Sequence, residues 1–260
     1  MSEVWEELNS EAENVGREER LLLDYLSECI LTHNTFESAL SFILANKVSD
    51  DVMSADMLRE LFLDILKASP SIVDCAIEDI KAVYDRDPAV CSFLSVILYL
   101  KGYQAIQVHR LANFLWNDHR KELALFIQSR NTEVFSVDIH PACEIGSGIM
   151  FDHATGIVIG ETTVIEDNVS ILQQVTLGGT GNEQGDRHPK IRSGVLISAG
   201  AKVLGNIEIG EGAKIGAGSV VLNSVPPHTT VVGVPARVVG TPASNSPAET
   251  MQQNVLEDEE

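Results

Sequence analysis

Hydrophobic positions along this chain follow two different periods. Up to about residue 130, apolar residues recur three and four apart. Leu22, Leu23, Leu26 and Ile30 make one stripe, Phe36, Leu40, Ile43 and Leu44 a second, and Leu58, Leu61, Phe62, Ile65 and Leu66 a third. A helix turns every 3.6 residues, so each stripe lies on one helical face. Ser69-Pro70 and Asp87-Pro88 punctuate the pattern. The residue before a proline avoids helical backbone, and proline suits the first helical turn. Seven or eight helices are predicted up to about Arg130, with a break at Gly102 inside the segment from Leu98 to Ala112.

From Ile139 the period becomes six. Aliphatic or aromatic residues fall at Ile139, Ile145 and Phe151, then at Ile159, Ile165, Ile171 and Leu177. They resume at Ile191, Ile197, Val203, Ile209, Ile215 and Val221. A small or β-branched residue often follows four positions on, as at Thr163, Val169, Val195, Ala201 and Ser219. A fixed six-residue period predicts a parallel β-helix, with three hexads to each triangular coil and the aliphatic side chains stacked inside. The predicted fold class is thus α+β in two parts: an all-α domain over 1–135, then a left-handed parallel β-helix over 136–240 with a protruding loop. An acidic tail over 241–260 is expected to be disordered.

Composition sharpens that division. Of 19 glycines, only Gly16 and Gly102 precede residue 136, as expected if glycine serves the corners of the coils, where positive φ is cheap without a Cβ. The 18 Lys and Arg against 38 Asp and Glu leave a net charge of -20, which argues against a nucleic-acid or anionic-membrane partner. No apolar run is long enough to span a bilayer. The start of the chain lacks a basic segment followed by an apolar one, and Cys29, Cys75, Cys91 and Cys143 show no metal or disulfide spacing. A cytoplasmic protein with free thiols is expected.

The hexad pattern breaks twice, and ionisable residues gather at the breaks. A two-residue slip surrounds Asp152-His153-Ala154-Thr155-Gly156, and an insertion over 178–190 carries Asp186, Arg187 and His188. Departures from a solenoid repeat map to excursions that bind ligands. His153 suits a general base, since an imidazole titrates near neutral pH. A carboxylate on its other ring nitrogen would fix the tautomer. Asp138 lies close to one coil earlier, and coils stack about 4.8 Å apart, so the two are expected to meet. Arg187 offers a planar fork for a carboxylate, and Asp152 with Asp87 suits an ammonium. Narrow prisms of this kind are expected to trimerise, with a site between subunits.

The stretches Val137-Asp-Ile-His-Pro, Asp152-His-Ala-Thr-Gly, Val175-Thr-Leu-Gly-Gly-Thr-Gly, Gly185-Asp-Arg-His-Pro-Lys and Gly233-Val-Pro-Ala-Arg resemble serine O-acetyltransferases. So do Arg86-Asp-Pro-Ala and the segment from Lys101 to Arg110 in the helical half. The resemblance covers all but about the last twenty residues. It implies transfer of acetyl from acetyl-CoA to the hydroxyl of L-serine, in cysteine biosynthesis. It also implies His153 as base, Asp138 as its orienting carboxylate, and Asp87, Asp152, Arg187 and His188 around the serine, with L-cysteine competing there as inhibitor. Glu161 lies in the same stretch without an assigned role. The acetyl-CoA groove would use backbone near Ala199-Gly200 and Ala217-Gly218, with Lys214 and Arg237 toward the phosphates, and no metal is implied. Lys214 reads equally well as an ordinary exposed repeat position. A homotrimer or dimer of trimers is implied. Many members insert a C-terminal isoleucine into O-acetylserine sulfhydrylase; this chain ends in Glu260, so that complex is not expected. The alternatives are a related acyltransferase with another hydroxyl or amine acceptor, a metal-dependent solenoid lyase using His140, His153 and His188, and a non-catalytic scaffold.

Overall fold

The computed structural model describes residues 3–181 and 183–254. The helical part comprises α1 (Glu3–Glu18), α2 (Leu23–Leu26), α3 (Phe36–Val48), α4 (Ala55–Ala68), α5 (Pro70–Arg86), α6 (Phe93–Tyr99), α7 (Lys101–Asn117) and α8 (Lys121–Phe135). A π-helical turn over Ser27–Leu31 follows α2. The side chains of Thr35, Ser54 and Ser92 cap α3, α4 and α6 by accepting the backbone N–H three residues on. Each thereby satisfies a donor that the helix itself leaves unpaired. Pro70 opens α5, and α8 ends at Ser136, in left-handed conformation.

The chain then winds into the β-helix, with three parallel faces visited in turn. The first face carries Val137–Ile139, Ile157–Ile159, Thr176–Gly178, Lys202–Leu204 and Val220–Val221. The second carries Glu144–Ile145, Val164–Ile165, Lys190–Ile191 and Glu208–Ile209. The third carries Met150–Asp152, Ser170–Leu172, Leu196–Ile197, Lys214–Ile215 and Thr230–Gly233, and is closed by the antiparallel strand Ala236–Gly240. The predicted hexad residues stack in register: Ile139 on Ile159 and Leu177 on the first face, Ile165 on Ile191 on the second, Ile171 on Ile197 on the third. All are buried except Ile145, which is half-buried. The register also measures the breaks. A regular coil runs from Ile159 to Leu177; the coil from Ile139 to Ile159 is longer by the two-residue slip, and the coil from Ile165 to Ile191 carries the insertion.

Buried polar contacts lock the helical part onto the first coil. Asp79, fully buried, accepts from Arg110 at 2.7 Å, from Gln107 at 2.9 Å and from the Ile149 N–H at 2.8 Å. Arg110 also donates to the Ile145 and Gly146 carbonyls, and Asn113 to those of Pro141 and Cys143. Breaking such a buried ion pair by removing one partner costs about 3–5 kcal/mol. Gly102 explains itself here: a Cβ on it would stand 2.0 Å from the Phe151 carbonyl oxygen.

The tail differs from the expected disorder as far as Asn254. Pro247–Thr250 form a short helix, α9, and Pro247 and Ala248 are buried against α5 and the third face. The Ala248 N–H donates to the Gly194 carbonyl, and the Ala248 carbonyl accepts from Ser170. Two apolar residues and their backbone bonds outweigh the acidic composition. Residues 255–260, on which the expectation about the sulfhydrylase rests, lie outside the described residues. Among the described residues no helix is long and apolar enough to cross a membrane.

Candidate active site

The two breaks in the repeat occupy opposite edges of the first face. His153 follows the third face, at the corner leading into Ile157–Ile159. Arg187 and His188 follow the first face, at the corner leading into Lys190–Ile191. One chain therefore does not bring His153 and Arg187 together.

At the His153 corner, the slip creates two successive left-handed residues, His153 (φ 55°) and Ala154 (φ 60°). Ala154 is buried beneath the turn while the His153 side chain stays 74% exposed. The ring Nε2 lies 3.8 Å from Asp152 Oδ1. Burial raises the Asp152 carboxyl above its ordinary range, nearby Asp87 raises it further, and His153 acts in the opposite sense. Asp87, which caps the C-terminal end of α5, is thus near enough to act on the Asp152 carboxyl. Lys101 of α7 adds a bond to Thr155 Oγ1, a contact that its place on a predicted helix did not reveal.

Asp138 has a partner that the sequence did not suggest. It accepts from Gln128 Nε2 at 2.7 Å, and among the described residues no bond or ion pair joins it to His153. The residue one coil beyond Asp138 is Val158, so His153 stands five positions earlier, on the corner, with its ring turned to Asp152.

At the other edge, Arg187 Nη2 donates to Glu161 Oε2 at 2.7 Å and holds that carboxyl below its ordinary range. Glu161, without a role from sequence, is therefore the carboxylate that aims the arginine. Thr162 organises the same turn: its hydroxyl oxygen accepts from the Arg187 and His188 N–H groups. Its own N–H donates to His188 Nδ1 at 3.2 Å. Burial lowers the His188 pKa, and Arg187 lowers it further. With Nδ1 accepting from the Thr162 N–H, the neutral form of the ring carries its proton on Nε2. It packs directly over Gly160, where a Cβ would meet the ring at 2.0 Å. His140 lies near Glu161, Arg187 and His188, and burial lowers its pKa too. The three histidines weighed as metal ligands thus divide between two edges, and among the described residues no group of three or more potential ligands converges.

Of the residues expected to meet acetyl-CoA, Ala199, Gly200 and Ala217 lie at corners on the same edge as His153. Successive corners bond one above another: Gln174 N–H to Thr155 O, Gly200 N–H to Gln173 O, and Gly218 N–H to Ala199 O. The Gly200 amide is therefore engaged within the corner, whereas no bond among the described residues takes up the Ala199 or Ala217 N–H. Arg237 is exposed on the last strand. Lys214 corrects the expectation of an exposed cation. It is 3% exposed on the third face, covered by the tail, and its Nζ donates to the Asn254 carbonyl.

Comparison with known proteins fits this arrangement. Residues 4–108 match the family model described as serine acetyltransferase, N-terminal, and residues 188–223 match the bacterial transferase hexapeptide model. The serine acetyltransferase of Haemophilus influenzae is 54% identical over 251 residues, covering 96% of this chain and 94% of that protein. The chain belongs to the serine acetyltransferase family. A serine acetyltransferase solved in complex with cysteine superimposes with a TM-score of 0.95 at 54% identity, covering 97% of this chain and 98% of that one. The Brucella abortus serine acetyltransferase solved with coenzyme A gives 0.91 at 51% identity, covering 93% and 96%. Both parts of the fold are thus those of serine acetyltransferases, the helical part included.

Proposed function

We propose that this protein is a cytoplasmic serine O-acetyltransferase that moves the acetyl group of acetyl-CoA to the L-serine hydroxyl, giving O-acetyl-L-serine and CoA. The observation that carries this reading is the exposed His153 imidazole beside the Asp152–Asp87 pair. A proton acceptor stands next to a seat for an ammonium group, in a chain whose full-length relatives carry that name. Asp87 and Asp152 hold the serine ammonium. His153 takes the hydroxyl proton as the serine oxygen attacks the thioester carbonyl. The tetrahedral intermediate collapses, the carbon–sulfur bond breaks, and the imidazolium returns the proton to the departing sulfur. Asp138 orients the imidazolium once the exposed ring turns from Asp152 toward the first face.

Arg187, aimed by Glu161, pairs with the serine carboxylate, and His188 Nε2–H supports it. Because Arg187 and His153 sit on opposite edges of the first face, the complete site lies between subunits. A threefold assembly sets one chain's His153 edge against the next chain's Arg187 edge. Acetyl-CoA lies along the His153 edge, with the Ala199 and Ala217 amides as donors and Arg237 toward its phosphates. L-Cysteine shares the ammonium and carboxylate of serine and competes for the same seat. CoA release from acetyl-CoA, measured with and without L-serine and with added L-cysteine, tests the reading. Serine-dependent release that cysteine suppresses is expected; folded protein that releases no CoA with serine overturns it.

A further inference from the structure

Arg86 and Asp87 are neighbours in sequence that face different tasks. Asp87 ends α5 beside Asp152. Arg86 is 7% exposed and reaches the other way, into the β-helix. Its Nη1 donates to the Gly148 carbonyl at 2.9 Å and to Ser170 Oγ at 3.2 Å, and its Nη2 to Asn168 Oδ1 at 3.3 Å. Ser170 is fully buried on the third face, and its single hydroxyl proton goes to the Ala248 carbonyl of α9 at 2.8 Å. The oxygen is thereby left to accept from Arg86. Ser170 shares its strand with Leu172, which pairs with Asp152 across the sheet.

We infer that Ser170 is a positioning residue for the amino-acid substrate: by holding Arg86 it fixes the end of α5, and with it the place of Asp87 opposite Asp152. The inference rests on the reading of that carboxylate pair as the ammonium seat. Asp87 needs such an anchor. Its own N–H closes the helix on the Val83 carbonyl, and its carboxylate caps the Ala89 N–H, so its helix tethers it from one side only. The Arg86 bonds tether it to the turn just before Met150–Asp152, through Gly148, and to the strand paired with that one, through Ser170. The tail contributes by turning the Ser170 hydroxyl so that a lone pair faces the guanidinium.

Ser170→Ala removes both bonds of the hydroxyl with little change of volume. In the full-length protein, the KM for L-serine is expected to rise by about five- to tenfold, while kcat and the KM for acetyl-CoA change by less than about twofold. Asn168→Gly, which tolerates the left-handed backbone at that site (φ 57°), removes a second Arg86 acceptor. It should raise the serine KM in the same selective way, and combined with Ser170→Ala should fall short of the product of the two effects. A buried serine that merely stabilised the fold would lower the melting temperature and move both substrates' parameters together. That result, or an unchanged serine KM in both variants, overturns the inference. Wild-type protein run in the same assay separates the two failures: no serine-dependent turnover there sinks the function itself, and the inference with it.

Discussion

In the helical part, side chains from separately started helices converge on one another, and each position has its own neighbours. In the β-helix each inward residue meets its counterpart from the next coil, Ile165 on Ile191 and Leu177 on Val203. Where the two parts meet the fit is close: a single added carbon at Gly102 collides with the Phe151 backbone. The β-helix absorbs a two-residue slip and an insertion without losing register, because both fall at corners. The ionisable residues of the candidate site occupy those corners. The helical part contributes one carboxylate, Asp87, and the rigidity that holds it. On the proposed reading, the catalytic groups come from corners of the β-helix and the helical part places Asp87 against them.

The widest expected effect lies on the corner side. His153→Ala should lower serine-dependent CoA release by about a hundredfold or more, the range lost with a general base. Its melting temperature should match the wild type, since the ring is 74% exposed. A fall in stability of the same variant would break the contrast between the two regions. The division of the site between edges is sharpened by mixing subunits. Co-refolded His153→Ala and Arg187→Ala chains should recover activity that neither has alone, because some interfaces then pair an intact His153 edge with an intact Arg187 edge. No recovery would place both groups in one chain's site.

Gly102→Ala probes the close fit between the two parts. Overpacking of this kind destabilises by about 1–3 kcal/mol, to be read from denaturant unfolding, with the serine KM rising as Asp87 shifts.

A milder test uses His109, buried in α7, where burial pushes its pKa down to about 3, with Arg110 acting in the same direction. The ring is neutral in the folded protein across the neutral range, and it titrates near 6.5 when unfolded. Above about 6.5 it has no effect on stability. As pH falls from there toward 3, the unfolded chain binds a proton that the folded one does not. Stability should then drop by up to about 1.4 kcal/mol per pH unit. His109→Gln should flatten that slope, and an unchanged slope would assign the acid sensitivity elsewhere. Smallest is Arg237→Ala: an exposed charge contact should raise the acetyl-CoA KM by about threefold, less at high salt.

Much of this was legible along the chain, and the omissions have causes. The solenoid was visible because stacking demands an aliphatic residue at every sixth position, and its two irregularities pointed to His153 and Arg187. Asp79, Gln107 and Arg110 gave no signal, since polar residues on a helix ordinarily face water; only docking against the first coil buries them. Lys214 looked like an outward repeat residue, and it is one, but the tail lies over it. Ser170 was one small residue among many in the strands.

Sequence by itself determined the period, and with it the two architectures, their boundary and the corners where the repeat fails. These are local properties, set by which side chains can face inward at each step. Tertiary structure alone decided what meets across distance: Glu161 on Arg187, Gln128 on Asp138, and the tail over Ser170 and Lys214. Those pairings depend on how coils of unequal length and a docked helix bring remote residues into contact, which no spacing along the chain encodes.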